Sequence, residues 1–222
     1  MKIAISKFTG LALAATLACQ ANAATITQAG DPGVSQGGAT PNSNAAAAAF
    51  DAANTPSFIE TFEDVDADGF TFSAGTITNA PLGAGGAVWG FNTTPGGQYV
   101  LELVGQASTF TFTNAVSAFG FYLSGVQLSN LTVNFVDGGA QSISINNYGD
   151  GVQFFGASGF SSAVSGFSIG NTNDVIGVDD LRFTAANTAV PEPGVWALMI
   201  VGFFGMGAML RRAKARQPLA FA

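Results

Sequence analysis

Apolar and polar residues alternate in steps of two through the middle of this chain. Thr109-Phe110-Thr111-Phe112-Thr113 alternates strictly, as do Leu131-Thr132-Val133-Asn134-Phe135 and Gln141-Ser142-Ile143-Ser144-Ile145. Tyr99-Val100-Leu101-Glu102-Leu103 and Phe70-Thr71-Phe72 fit the same template. One apolar face and one Thr/Ser/Asn face define half-buried antiparallel strands. Asp137-Gly138-Gly139, the run from Asn146 to Gly151 and Gly170-Asn171-Thr172-Asn173-Asp174 supply turn chemistry between them. The pattern predicts roughly nine strands over about 125 residues, the spacing of an antiparallel β-sandwich. The fold class expected is therefore all-β and jelly-roll-like, over residues 58–186.

The pattern breaks on both sides of that region. Residues 24–57 read as a linker, because Gly, Ser, Asn, Gln and Pro dominate from Gln28 to Asn44. Within it, Ala45 to Ala53 predicts about two helical turns, with Asn44 as N-cap and Phe50 as anchor. Such a helix is too short to stand alone. The core is expected to be built from Phe, since 15 of the 20 Phe lie between residues 58 and 183. Phe110, Phe112, Phe119, Phe121, Phe135, Phe154, Phe167 and Phe183 are the core candidates.

Charge sharpens the picture. The whole-chain value of −7 hides a domain, residues 24–190, with 13 acids and Arg182 as its only base, a net charge of −12. Such a domain repels phosphate backbones, which argues against nucleic acid as a partner. It suits divalent cations and neutral sugars, and acidity alone also keeps a β protein soluble. The chain has no His and one Cys, Cys19. That removes the commonest general base, Ser-His and Cys-His pairs and the usual zinc ligands. No enzyme is expected. A two-carboxylate glycosidase drawing on Glu60, Glu63, Glu102 or Asp150 is the alternative to test.

Both ends carry addresses. Lys2 and Lys7, the apolar stretch from Phe8 to Ala18 and Ala21-Asn22-Ala23 form a secretory signal peptide over residues 1–23, so the secretion machinery is an expected partner. Cys19 raises a lipoprotein signal as the alternative. At the other end, residues 187–222 hold Val190-Pro191-Glu192-Pro193, an uncharged run of 16 residues from Val195 to Leu210, and then basic residues between Arg211 and Arg216. A helix of that length spans about 24 Å, slightly short of a hydrocarbon core of about 30 Å. Arg211 and Arg212 would stay on the cytoplasmic side.

This tail resembles the PEP-CTERM sorting signal of Gram-negative bacteria that make extracellular polysaccharide. Pro191, Glu192, Pro193, Trp196, Met199-Ile200, Gly202, Gly205, Gly207, Arg211 and Arg212 carry the resemblance, in order. It implies export, a transient membrane anchor through a transmembrane helix at about 195–210, cleavage by an exosortase-type membrane protease, and delivery to the cell surface or matrix. An ordinary uncut anchor is the plain alternative.

The best-shaped chemical motif is Asp64-Val65-Asp66-Ala67-Asp68-Gly69. Carboxylates at alternate positions followed by Gly match the first half of a calcium loop. Gly75 stands where an EF-hand needs its bidentate Glu, so the loop is of another kind. The segments Phe58–Glu63 and Val178–Phe183 look like the terminal strands of carbohydrate-binding jelly rolls, many of which share a structural calcium there. That resemblance adds Glu63 and Asp179 to Asp64, Asp66 and Asp68 as expected calcium ligands. A solvated acidic turn is the alternative. For glycan contact, Trp89 and Tyr148 are the candidates, with packing as their other reading. The combined expectation is a non-catalytic surface or matrix protein that associates with extracellular polysaccharide. A purely structural surface protein is the rival.

Overall fold

The structure is a computed structural model that describes residues 24–81, 89–127, 131–136, 141–170, 173–186, 200–206 and 211. The chain divides into two compact units, Met1–Ala186 and Asn187–Ala222. The expected signal peptide, and Pro191, Glu192, Pro193, Trp196 and Arg212 of the expected sorting signal, lie outside the described residues.

The first unit is mostly antiparallel β-sheet. Its strands are β1 (Thr25–Asp31), β2 (Phe58–Glu60), β3 (Phe70–Phe72), β4 (Thr76–Thr78), β5 (Val100–Val104), β6 (Ser108–Ser124), β7 (Thr132–Val136), β8 (Ser142–Ser144), β9 (Val152–Ser158), β10 (Val164–Gly170) and β11 (Val175–Ala185), and one helix, α1 (Pro41–Asn54), joins β1 to β2. The 17-residue β6 organises them. Its first half pairs with β3 and β10, and β10 continues to β7 and β8. Its second half pairs with β9 and β11, which carry β1 on one side and β5, β4 and β2 on the other. The two sets of strands form two leaves that share β6.

Phenylalanine fills the space between the leaves. Phe167 of the first leaf stacks on Phe119 of the second at 4.5 Å and on Phe121 at 5.1 Å. Phe110 lies beside it at 4.6 Å, and Phe135 meets Phe119 edge-on. Offset and edge-on rings of this kind add about 0.5–1.5 kcal/mol per pair beyond their area burial. The expected Phe core is present, with two corrections. Phe183 is only partly buried, and Phe154 sits on the outer face of the second leaf, in a separate cluster with Phe50, Phe91 and Tyr122.

That outer cluster exists because α1 covers it. Ser43, Ala47 and Phe50 are the buried side of the helix, at helical spacing. Phe50 meets Phe154 at 5.6 Å, and Gly156 on β9 leaves the room it needs, since a Cβ there would come 2.6 Å from the Phe50 ring. The span 24–57 is therefore no linker. Its first residues form edge strand β1, and its helix starts at Pro41 rather than Ala45.

The cap of α1 also differs from expectation. Asn44 does not cap it. Thr40 is at the N-cap without a side-chain bond, and Pro41 opens the helix. The exposed N–H groups are taken by Asp31, which ends β1. Its carboxylate accepts from Asn42 N at 3.0 Å and Ser43 N at 2.8 Å, as well as from both side chains. Burial pushes the Asp31 carboxyl up, but the bonds from Ser43 and Asn42 outweigh it and hold it below the usual carboxylate range. An anion at a helix N-terminus is also favoured by the dipole. Asp31→Ala is expected to cost about 1–2 kcal/mol, read from urea denaturation. Asp31→Asn is expected to recover part of that, because its amide oxygen still accepts.

In the second unit, residues 200–206 and 211 are helical, and Ile200, Val201, Phe203, Phe204 and Met206 are all exposed. Among the described residues no helix is long and apolar enough to cross a membrane.

Candidate functional site

A cleft of ≈ 810 Å³ opens on the outer face of the second leaf, beside the start of α1. One wall is the segment from Ser35 to Pro41, with Asn44. The other is the loop from Asn92 to Gly97. Phe91, Tyr122, Val152 and Asp180 complete the lining. The nearly buried Phe91 and Tyr122 lie beneath it, and its walls offer neutral donors and acceptors from Ser35, Gln36, Asn44, Thr93 and Thr94. Tyr122 donates its hydroxyl to Asn44 Oδ1 at 2.8 Å. Burial pushes Tyr122 up to about 12, so the phenol stays neutral.

Carboxylates hold the loop wall in shape. Glu63 accepts from Gln98 N and Tyr99 N at 2.9 and 3.1 Å, and from the Asn92 side chain at 2.9 Å. Asp179, fully buried on β11, accepts from Thr93 N at 2.7 Å, Thr94 N at 3.2 Å and Asp180 N at 2.8 Å. Asp180 accepts from the Thr94 hydroxyl at 2.8 Å. A short stretch of backbone rich in Thr, Pro and Gly is thus pinned at both ends by anions that satisfy its N–H groups. A third anion, Asp31, does the same for the opposite wall through α1.

A bulge in β11 sets this charge arrangement. Asp179 lies opposite Tyr122 and Arg182 opposite Gly120, so β11 carries one residue more than β6 between those pairs. Asp180 takes up the extra residue at φ 45, in the left-handed region that Asp tolerates better than most residues. Without the bulge, alternation would turn Asp180 into the core. With it, Asp179, Asp180 and Arg182 all face outward, and Leu181 alone turns in.

Arg182 is the counter-charge. Its guanidinium lies 2.8 Å from Asp51 on α1 and 3.8 Å from Asp180. It also lies over the rings of Tyr122 and Phe154, at 5.3 and 5.4 Å. One cation therefore faces two carboxylates. Burial and the adjoining Asp180 carboxylate push Asp179 up to about 7, against the bonds from Thr93 and Asp180. Burial also raises Asp180, with the Thr94 bond and Arg182 pulling the other way.

The other expected site residues fall elsewhere. Among the described residues no group of three or more acidic side chains is arranged to hold a metal ion. Glu63 and Asp179 are engaged with loop backbone. The loop of Asp64, Asp66 and Asp68 folds around Glu60, which accepts from Phe62 N at 2.6 Å and Asp68 N at 2.7 Å. Asp64 and Asp66 bond weakly or locally within that loop. Calcium thus keeps its loop from the sequence but gains no assembled ligand set. Trp89 is 41% exposed and does not line the cleft. Tyr148 lies against Gly30, where a side chain on residue 30 would strike its ring, and so serves packing. The sequence reading missed Tyr122 and the Thr93-Thr94-Pro95-Gly96-Gly97 loop, and it weighed Asp180 only beside Asp179, for calcium. The Asp179-Asp180 pair beside a lone Arg was the one available signal.

No family model matches the chain. No curated protein matches it either. Among solved structures, it is similar to the N-terminal CBM22-1–CBM22-2 tandem domain of Paenibacillus barcinonensis Xyn10C, at 16% identity and a TM-score of 0.40 over 64% of this chain and 48% of that one. The chain thus spans about half the length of that tandem. It is also similar to the CBM22-1 xylan-binding domain of the same protein, at 15% identity, a TM-score of 0.37, and 60% and 95% coverage. The C-terminal family 22 carbohydrate-binding module of Clostridium thermocellum Xyn10B gives 14% identity, a TM-score of 0.35, and 62% and 99% coverage. Similarity of this degree transfers no ligand and no site residue to this chain.

Proposed function

We propose that this is an exported, exosortase-processed surface or extracellular-matrix protein whose jelly-roll-like sandwich binds extracellular polysaccharide in the cleft without chemical turnover. The cleft carries this reading. It is concave, of ligand size, and lined by neutral hydrogen-bonding groups around buried rings. Sugar hydroxyls match such groups. The absence of His from the chain supports binding without turnover, as does Asp180 being the cleft's one carboxylate among the described residues.

Retardation of the full chain in native gels that hold a panel of polysaccharides tests the reading. Ala39 is exposed on the cleft wall, so Ala39→Trp fills the opening with little effect on folding. It is expected to weaken retention by roughly tenfold, about 1.4 kcal/mol. Equal retention of Ala39→Trp would place the ligand elsewhere, and no retention on any polysaccharide would favour a purely structural protein. The sorting tail has its own check. Changing Pro191 and Pro193 together to Ala is expected to leave an uncut, membrane-bound form in fractionated cells, and normal release of that variant would contradict exosortase processing.

A further inference from the structure

We propose that the cleft sorts sugars by charge, taking residues that bear a free ammonium group, as in amino sugars without N-acetylation, and excluding uronates. This rests on the polysaccharide reading of the same cleft and adds the chemical class of the ligand. The observation behind it is the placement of Asp180. It is the only acidic side chain of the lining among the described residues, and the β11 bulge turns it outward at a φ of 45, a conformation that costs a non-glycine residue free energy. Its neutralisation is incomplete. Arg182 lies 3.8 Å away and is drawn to Asp51 at 2.8 Å. Asp179 adds a second carboxylate directly behind it, and Glu63 holds the far end of the same loop. Among the described residues no Lys, Arg or His lines the cleft.

The electrostatic consequence follows from the sign and the surroundings. A carboxylate with little solvent and a shared counter-charge gains most from a cation that enters the cleft. An ammonium on a pyranose ring also has three N–H donors for Asp180 and for the neutral acceptors of Asn44 and the threonines. A uronate would bring like charge against Asp180, which costs several kcal/mol at an interface. The net charge of −12 over residues 24–190 adds the same bias at longer range. An N-acetylated sugar falls between the two, because it keeps the hydroxyls and loses the charge.

Isothermal titration of the full chain with three trisaccharides decides the matter: β-1,4-linked glucosamine, its N-acetylated counterpart and a galacturonic acid trimer. The expected order is glucosamine first, the N-acetylated sugar weaker by roughly tenfold, and the uronate undetected. Asp180→Asn is expected to reduce the glucosamine preference to about twofold, and Asn tolerates the left-handed backbone and still accepts from Thr94. The order on the unaltered protein stands as a test even if that variant fails to fold. Equal binding of the glucosamine and N-acetylated trimers would overturn this inference and leave polysaccharide binding in place. A preference that survives in folded Asp180→Asn would overturn the role of Asp180. Binding of none of the three, together with no retention on any polysaccharide gel, would overturn both.

Discussion

Replacing Arg182 with Met is expected to cost about 3–5 kcal/mol of stability at neutral pH, because it leaves buried carboxylates without their counter-charge. The Arg182 side chain is 7% exposed, and it joins Asp51 on α1 to Asp180 at the cleft while covering Tyr122 and Phe154. The loss is expected to shrink as pH falls. Asp179 titrates near 7 in the folded state, above an ordinary carboxylate near 4, so the folded state holds that proton more tightly than the unfolded state. Its ionisation therefore removes stability as pH rises between those two values. Arg182 holds the neighbouring Asp180 down against its own burial, so with Arg182 gone the ionised Asp180 costs more, and acid relieves that cost. Urea denaturation of both proteins at pH 5 and pH 7.5 gives the comparison. A gap between them that is equal at both pH values would show that Arg182 matters for packing rather than charge.

Phe167→Ala is expected to be as damaging, by a different route. Phe167 is fully buried and stacks on Phe110, Phe119 and Phe121, so it links both leaves at their centre. Truncation leaves a cavity that β6 cannot close, since that strand is paired on both sides along each half. The expected cost is about 3–5 kcal/mol, or a fall in melting midpoint on the order of 10 °C. Phe167→Leu keeps much of the volume and is expected to cost clearly less. Calorimetry on the two variants reads both effects. A small loss in Phe167→Ala would mean that the leaves do not depend on this ring.

The period-two pattern made the strands legible where one face is buried and the other wet. Phe110 and Phe112 point inward and Thr111 outward, as their alternation predicts. It gave no warning that β6 runs on to Ser124, because α1 covers the outer face there and residues 118–124 are all buried, Ser124 with its hydroxyl bonded to Phe91. A strand covered on both faces shows no alternation. Strand β1 stayed hidden for the opposite reason, being a polar edge with little to bury.

The cleft was harder still to read. Its two walls are Gly- and Thr-rich segments more than fifty residues apart that resemble linkers, and their shape comes from Asp31, Glu63 and Asp179, three carboxylates that act over long sequence separations. Sequence reasoning noticed the acids and assigned Glu63 and Asp179 to calcium. In the fold they bind backbone N–H groups, a role that no local spacing encodes. Asp180 stands where strict alternation would turn it into the core, and only the bulge brings it out to the cleft.

Hydrogen exchange of the full chain with and without a retained polysaccharide tests the central claim most directly. The account predicts added protection in residues 35–41 and 91–97, with little change around Trp89 and Tyr148. Protection centred on Trp89 or Tyr148, or none in either cleft wall under saturating polysaccharide, would contradict it.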